Sequence, residues 1–225
     1  ARDIADLGAV TARLDTVGAG SGALSNRNIV INGAMQVAQR ATSSTGVGGS
    51  DGYFTCDRWH FAQATNAGRL TMTQDSSAPA GFANSLKLAC TTADTSIGAD
   101  EAALIQHKIE GQNLQRFAKG TSGAKQFTLS FYVKGNASAT YTAELFDSDN
   151  TRANGKTFSV TTDWTRVEIT LPADTTGAFD DDNVASLDLN IWLHAGSSYT
   201  GGTFTNGTWT TGSNPNVRVG SGTSF

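Results

Sequence analysis

In KQFTLSFYVKG (125–135), Phe127, Leu129, Phe131 and Val133 alternate with Thr128, Ser130, Tyr132 and Lys134. A period of two sends the first set to one face of a strand and the second to the other, as in a strand buried on one side. Strand-length patterning recurs in RLTMTQD (69–75), SLKLACT (85–91), ATYTAELFD (139–147), GKTFSVTT (155–162), WTRVEITLP (164–172) and SLDLNIWLHAG (186–196). Each is bounded by turn residues, and no strand–helix–strand rhythm links them. This order specifies a mainly β, antiparallel sandwich or barrel. Two segments are less definite. EAALIQHKIE (101–110) alternates in part but also suits a helix, and GQNLQRFAKG (111–120) is expected to hold a short helix or turn.

The N-terminus differs. In RDIADLGAVTARLDTVG, Ile4, Leu7, Val10, Leu14 and Val17 recur at intervals of three and four. They form one narrow apolar stripe on a helix, with Arg2, Asp6, Arg13 and Asp15 off it. So short a helix does not hold its fold alone in water. It is expected to oligomerise or dock through that stripe, or to lie against its own β domain. The organisation read from the sequence is a helix over 1–18, a Gly/Ser hinge over 19–27 and a β head over 28–225. The chain begins on Ala-Arg and stops in strand-like sequence, so it is read as a piece of a longer polypeptide.

Charge and motifs narrow the function classes. A formal net charge of −4 without a Lys/Arg cluster offers no footprint for nucleic acid. No apolar run is long enough to span a membrane. Cys56 and Cys90 stand far apart without CxxC spacing, and two buried, reduced thiols are expected, with a disulfide between them as the alternative. No nucleophile elbow, zincin, P-loop or dinucleotide fingerprint is present. His60, His107 and His194 are scattered, so only the tertiary fold could assemble a site from them. Glu144, Glu168 and Asp188 fall in strands, and a pair of them would be needed for glycoside cleavage. Nothing in the sequence selects a pair, and the expectation is a non-enzymatic protein.

The stretch NIVINGAMQVAQRATSSTGVGGSDGYFTCDRWHF (28–61) reads as a β segment through Ile29 and Ile31, broken at Gly33. A Gly/Ser/Thr surface loop (41–52) follows, and then an aromatic knot of Tyr53, Phe54, Trp59 and Phe61. Asp57 and Arg58 are expected to order backbone or to pair. NRNIVINGAMQVAQRATSSTG with the later Asp57-Arg58-Trp59 is similar to segments of tail-fibre and other virion appendage proteins of tailed bacteriophages. FTLSFYVKGNASATYTAELFDSDN, KTFSVTTDWTRVEITLPADTTG and LDLNIWLHAGSSYTGG resemble the β-sandwich jelly roll of carbohydrate-binding-module-like domains. Together the resemblance spans about residues 26–205. It implies a jelly-roll head on a virion structural protein, with Trp59 and Trp164 in the core, where the resembling families bury an aromatic.

 It also implies a trimeric assembly, since phage fibres are mostly threefold, with other virion proteins and a host-surface polysaccharide as partners. The alternatives are a capsid or tail decoration protein without a receptor, and a polysaccharide-degrading appendage.

Candidate contact residues follow from where aromatics fall. Tyr199 and Trp209 lie in AGSSYTGGTFTNGTWTTGSNPN, a polar, loop-like region. Aromatic tips in such a loop suit glycan recognition, or else pin their own loop. Tyr141 and Tyr132, on polar strand faces, are secondary candidates, and Trp192 fits either the core or a surface. No cofactor is expected. Asp180, Asp181 and Asp182 in FDDDN could supply oxygen ligands to a structural calcium ion, although three consecutive carboxylates also suit a solvated loop.

Overall fold

The computed structural model describes residues 28–220. The expected helix and hinge, with Ile4, Leu7, Val10, Leu14 and Val17, lie outside the described residues. The chain divides into two compact units, Ala1–Ile31 and Asn32–Phe225. In the described end of the first, the Asn28 side chain accepts a hydrogen bond from the Val30 amide at 3.0 Å.

The second unit is built from strands β1 (Ser43–Val47), β2 (Trp59–Ala64), β3 (Arg69–Asp75), β4 (Ser85–Thr92), β5 (Ala102–Glu110) and β6 (Phe127–Val133). They are followed by β7 (Ala139–Asp147), β8 (Arg152–Val160), β9 (Thr165–Leu171), β10 (Ala185–Ala195), the one-turn helix α1 (Ser197–Thr200) and β11 (Thr210–Thr211). The strands form a six-stranded sheet of order β11-β8-β7-β10-β5-β2, a three-stranded sheet β1-β3-β4 and a pair β6-β9. All strand pairings among the described residues are antiparallel. The architecture is mainly β and consistent with a β-sandwich.

Registers show which side chains share a face. Phe61 and Ile191 both stand opposite Ile105, and Leu189 stands opposite Leu145. This face of the large sheet is largely apolar, with His107 and Asn154 buried among its apolar side chains, and Phe158 of β8 extends it to meet Phe131 of β6 edge-on, with ring centroids 5.0 Å apart. The β6-β9 pair thus packs across the large sheet. β5 carries buried residues on both of its faces, so its alternation was incomplete in the sequence and both helix and strand fitted. The 111–120 segment forms two 3-10 turns, Gly111–Asn113 and Gln115–Phe117.

Three expectations are corrected. No strand runs through Ile29 and Ile31; a turn begins at Ile31 instead. Asn32 adopts a left-handed φ of 56°, and its side chain bonds the Val37 amide and carbonyl and the Asp57 carbonyl. An Asn that supplies its own backbone partners favours a turn over a ladder. Second, the Gly/Ser/Thr tract is not wholly loop, because β1 lies within it and pairs with β3. An edge strand needs backbone groups more than apolar side chains, and in β1 only Val47 is buried. Third, Cys56 is buried but Cys90 is exposed, near the end of edge strand β4; both are free thiols.

The aromatic knot is fixed from both sides. Trp59 is buried, and its indole donates to the Asn32 carbonyl at 3.1 Å. Arg58 pairs with Glu110 at 3.0 Å, and Asp57 accepts from the Gln39 amide. Trp164, which the resemblance places in the core, is half-buried just ahead of β9, where a two-stranded sheet gives it little cover.

A buried cation secures the opposite part of the domain. Lys119 is 3% exposed. Its ammonium donates to Asp147 and to the carbonyls of Thr176 and Gly177 and stands 3.2 Å from Asp174. The rings of Phe179 and Trp209 lie 5.2 and 5.5 Å from it. Burial raises the Asp174 pKa, but Arg152, the Thr176 amide and Lys119 outweigh it and hold the carboxyl below its ordinary value. Replacing Lys119 with Met would leave Asp147 without its buried counter-charge. The expected loss is about 3–5 kcal/mol of unfolding free energy, measured by urea denaturation; a change under about 1 kcal/mol would show that the lock contributes little.

Candidate functional site

The site begins with the sequence of β10. Leu187, Leu189 and Ile191 face the apolar interior of the large sheet, and Asp188, Asn190 and Trp192 face the other way. The second face is not open to water, since Asn190 and Trp192 are nearly fully buried. The chain after β10 returns across it. Gly155 of β8 stands opposite Glu144. A Cβ there would come within 2.9 Å of both the Arg218 carbonyl oxygen and the Phe204 ring, so a glycine lets the returning segment lie close.

That segment is clamped by one ion pair. Glu144 is fully buried. Its carboxylate receives Arg218 Nε at 2.6 Å and Nη2 at 2.8 Å, and Asn190 Nδ2 and Trp192 Nε1 at 3.0 Å each. The guanidinium also lies 4.3 Å from the Phe146 ring centroid. Burial acts against the Arg218 charge, but Glu144 holds its pKa above the ordinary value. A bidentate pair with four donors to one carboxylate leaves Glu144 committed to structure.

Beside this clamp lies a cleft of about 250 Å³. One part is apolar, with Leu104, Trp192 and Tyr199; the other is polar, with Gln106, Asp188 and Asn190. The Gln106 amide donates at 3.1 Å to both Asp188 Oδ2 and Asn190 Oδ1. Asp188 Oδ1 is buried and has no hydrogen-bond partner in the protein. Burial pushes the Asp188 pKa up; Lys108 and Arg218 oppose this and Glu144 reinforces it. An unsatisfied acceptor beside aromatic rings suits a small ligand that brings its own hydroxyl or amide donor.

The four aromatics singled out by sequence do not converge. Tyr199 lines the cleft, with its ring centroid 5.2 Å from that of Trp192. Trp209 is half-buried elsewhere: its indole donates to the Pro172 carbonyl at 2.8 Å, and its ring meets Phe127 and Lys119. Tyr141 is half-buried against Phe158, and burial raises its hydroxyl pKa. Tyr132 is 42% exposed and touches Phe82. Of the strand carboxylates, Glu144 and Asp188 belong to the same sheet face, whereas Glu168 is exposed on β9 and pairs with Arg166.

Asp180, Asp181 and Asp182 are exposed. Asp182 caps the Val184 amide at 2.9 Å, and the Asp180 carbonyl accepts from Gln115; these are turn contacts. The polar row Gln106–Asp188–Asn190 was missed from sequence, although polar residues at every second position of DLNIW are its signature. A second group, Asp94, Glu101 and His194, comes together from the loop between β4 and β5 and the end of β10, and sequence spacing gave no sign of it. Among the described residues, no helix is long and apolar enough to cross a membrane.

The chain matches no protein-family model, curated protein or solved structure in the comparisons made.

Asp188 offers a direct check on the electrostatics of the cleft. Below about pH 3.9 its carboxyl is protonated in both folded and unfolded chains, and burying it carries no ionisation cost. As pH rises, the unfolded chain releases the proton first, so stability falls until the folded-state pKa is passed. Asp188→Asn removes that loss. The variant is expected to melt above the wild type at about pH 7 and to converge with it near pH 3, as followed by circular dichroism. A variant that melts lower at neutral pH would show that the charge is stabilising there.

Proposed function

We propose that this chain is a non-enzymatic virion appendage protein, a tail fibre or similar, whose β domain is a jelly-roll head for attachment to a host cell-surface glycan. The observation that carries the glycan reading is the cleft in which Trp192 and Tyr199 adjoin Gln106, Asp188 and Asn190. A sugar ring presents a C–H face to an aromatic and hydroxyls to planar polar side chains, and this cleft offers both kinds of partner. Its volume, below the ~300–1,000 Å³ of drug-sized sites, fits one residue of a longer polymer. The virion reading is supported by the resemblance carried on residues 28–61 and by the strand order that follows. In a trimer, weak single sites would combine through multivalency.

Asp188 lines the cleft, but hydrolysis needs a second acid, and Glu144, its neighbour on the same sheet face, is not free to serve. Glu144 is held by Arg218, Asn190 and Trp192, which leaves it poorly placed to act as nucleophile or base toward a glycosidic bond.

A glycan array of bacterial surface polysaccharides, followed by calorimetry on any hit, tests the proposal. Tyr199→Ala is expected to weaken binding roughly tenfold or more, as for loss of about 1.4 kcal/mol. Trp209→Phe, away from the cleft, is expected to leave affinity unchanged. Absence of any bound glycan, or binding indifferent to Tyr199, would reject the cleft as a receptor site and favour a decoration protein.

A further inference from the structure

We propose that Asp94, Glu101 and His194 form a binding site for a first-row divalent cation, with Zn²⁺ the best match. The inference is independent of the glycan reading. One ligand atom from each residue lies within 4.8 Å of the other two. His194 Nε2 stands 3.8 Å from Glu101 Oε2 and 3.9 Å from Asp94 Oδ2. The cluster is well buried, with His194 1% exposed and both acids 8% exposed.

These separations are informative. A charge-assisted hydrogen bond between imidazolium and carboxylate would draw the atoms to about 2.7–2.9 Å. Two donors bound about 2.0–2.2 Å from a tetrahedral ion stand roughly 3.4 Å apart. The two His194 gaps are too wide for the first arrangement and close to the second, and the two carboxylates, whose ligand atoms lie within 4.8 Å of each other, would draw together on an ion. Asp94 Oδ2 is buried and has no hydrogen-bond partner in the protein. Its other oxygen already caps the Ser96 amide at 3.0 Å, so the carboxylate is oriented with Oδ2 toward the cluster. Two buried carboxylates beside one imidazole also call for positive charge.

The fold holds these donors in place. The β10 register shifts between Trp192 and His194. Trp192 stands opposite Leu104 and His194 opposite Ala103, so the bulge moves His194 to the opposite face from Trp192. Glu101 is fixed by the Gly98 amide on its side chain, and its carbonyl accepts from Gly196 at 2.8 Å. A Cβ at Gly196 would overlap the Gly98 carbonyl oxygen at 2.1 Å, so glycine permits this tight junction. One imidazole and two carboxylates suit zinc, with a fourth position for water, whereas calcium prefers six to eight oxygens.

The test is metal titration of the chelator-treated, dialysed chain. Calorimetry with Zn²⁺ is expected to give one site per chain and a raised melting temperature. Co²⁺ in its place is expected to produce visible d–d absorption. Asp94→Asn and Glu101→Gln, each checked for folding by circular dichroism, are expected to reduce Zn²⁺ affinity by more than the ~10–100-fold typical of losing a supporting group. If the wild-type chain binds neither ion, the proposal fails. It fails equally if stoichiometric binding and the Co²⁺ spectrum survive in both folded variants.

Discussion

The Glu144–Arg218 pair decides what the outer face of the six-stranded sheet becomes. Without it, the segment after β10 would have no charged anchor on that face. Burying either charge alone is costly, and the pair is tolerable because its geometry is bidentate and the other carboxylate sites are filled by Asn190 and Trp192. The polar residues of β10 are therefore enclosed with the clamp. Asp188 is left beside a cleft with one oxygen unmet.

Only 16% of the residues are charged, yet several of the charges are placed inside. Lys119, Asp147 and Asp174 form one buried network, Glu144 and Arg218 another, and Asp94, Glu101 and His194 a third group. Buried ion pairs add little net stability compared with apolar packing, but breaking one is expensive. Their effect here is to fix connections between segments distant in sequence. Lys119 ties the turns after β5 to the ends of β7 and of the loop after β9. Arg218 ties the last described residues to β7. Loops of Gly, Ser and Thr lack apolar anchors for this purpose.

How much was legible in the sequence follows the same division. β3, β6, β7, β9 and β10 were readable because burial on one face, or a long apolar run bounded by turns, imposes period two or β-branched composition. β1 was hidden because an edge strand of SSTGV needs almost no apolar side chain. Trp209 looked like an exposed recognition tip, since its neighbours are Gly, Thr and Asn. Its actual surroundings, Lys119, Phe127 and Pro172, come from other segments. The polar row on β10 was written in DLNIW, but its enclosure depended on Arg218, nearly thirty residues later, and on a glycine in β8.

The bulge at Leu193 joins the two proposed sites physically. By shifting register between Trp192 and His194, it sends the indole to the cleft and the imidazole to the carboxylates on the opposite face. Immediately afterwards, Gly196 closes against Gly98 and Ala99, and α1 presents Tyr199 to Trp192. An ion held by Asp94, Glu101 and His194 would bind the loop before β5 to the end of β10 at that junction. It would then restrain the stem from which Tyr199 projects. A cation on one face would stiffen a binding surface on the other through shared backbone, without touching the ligand.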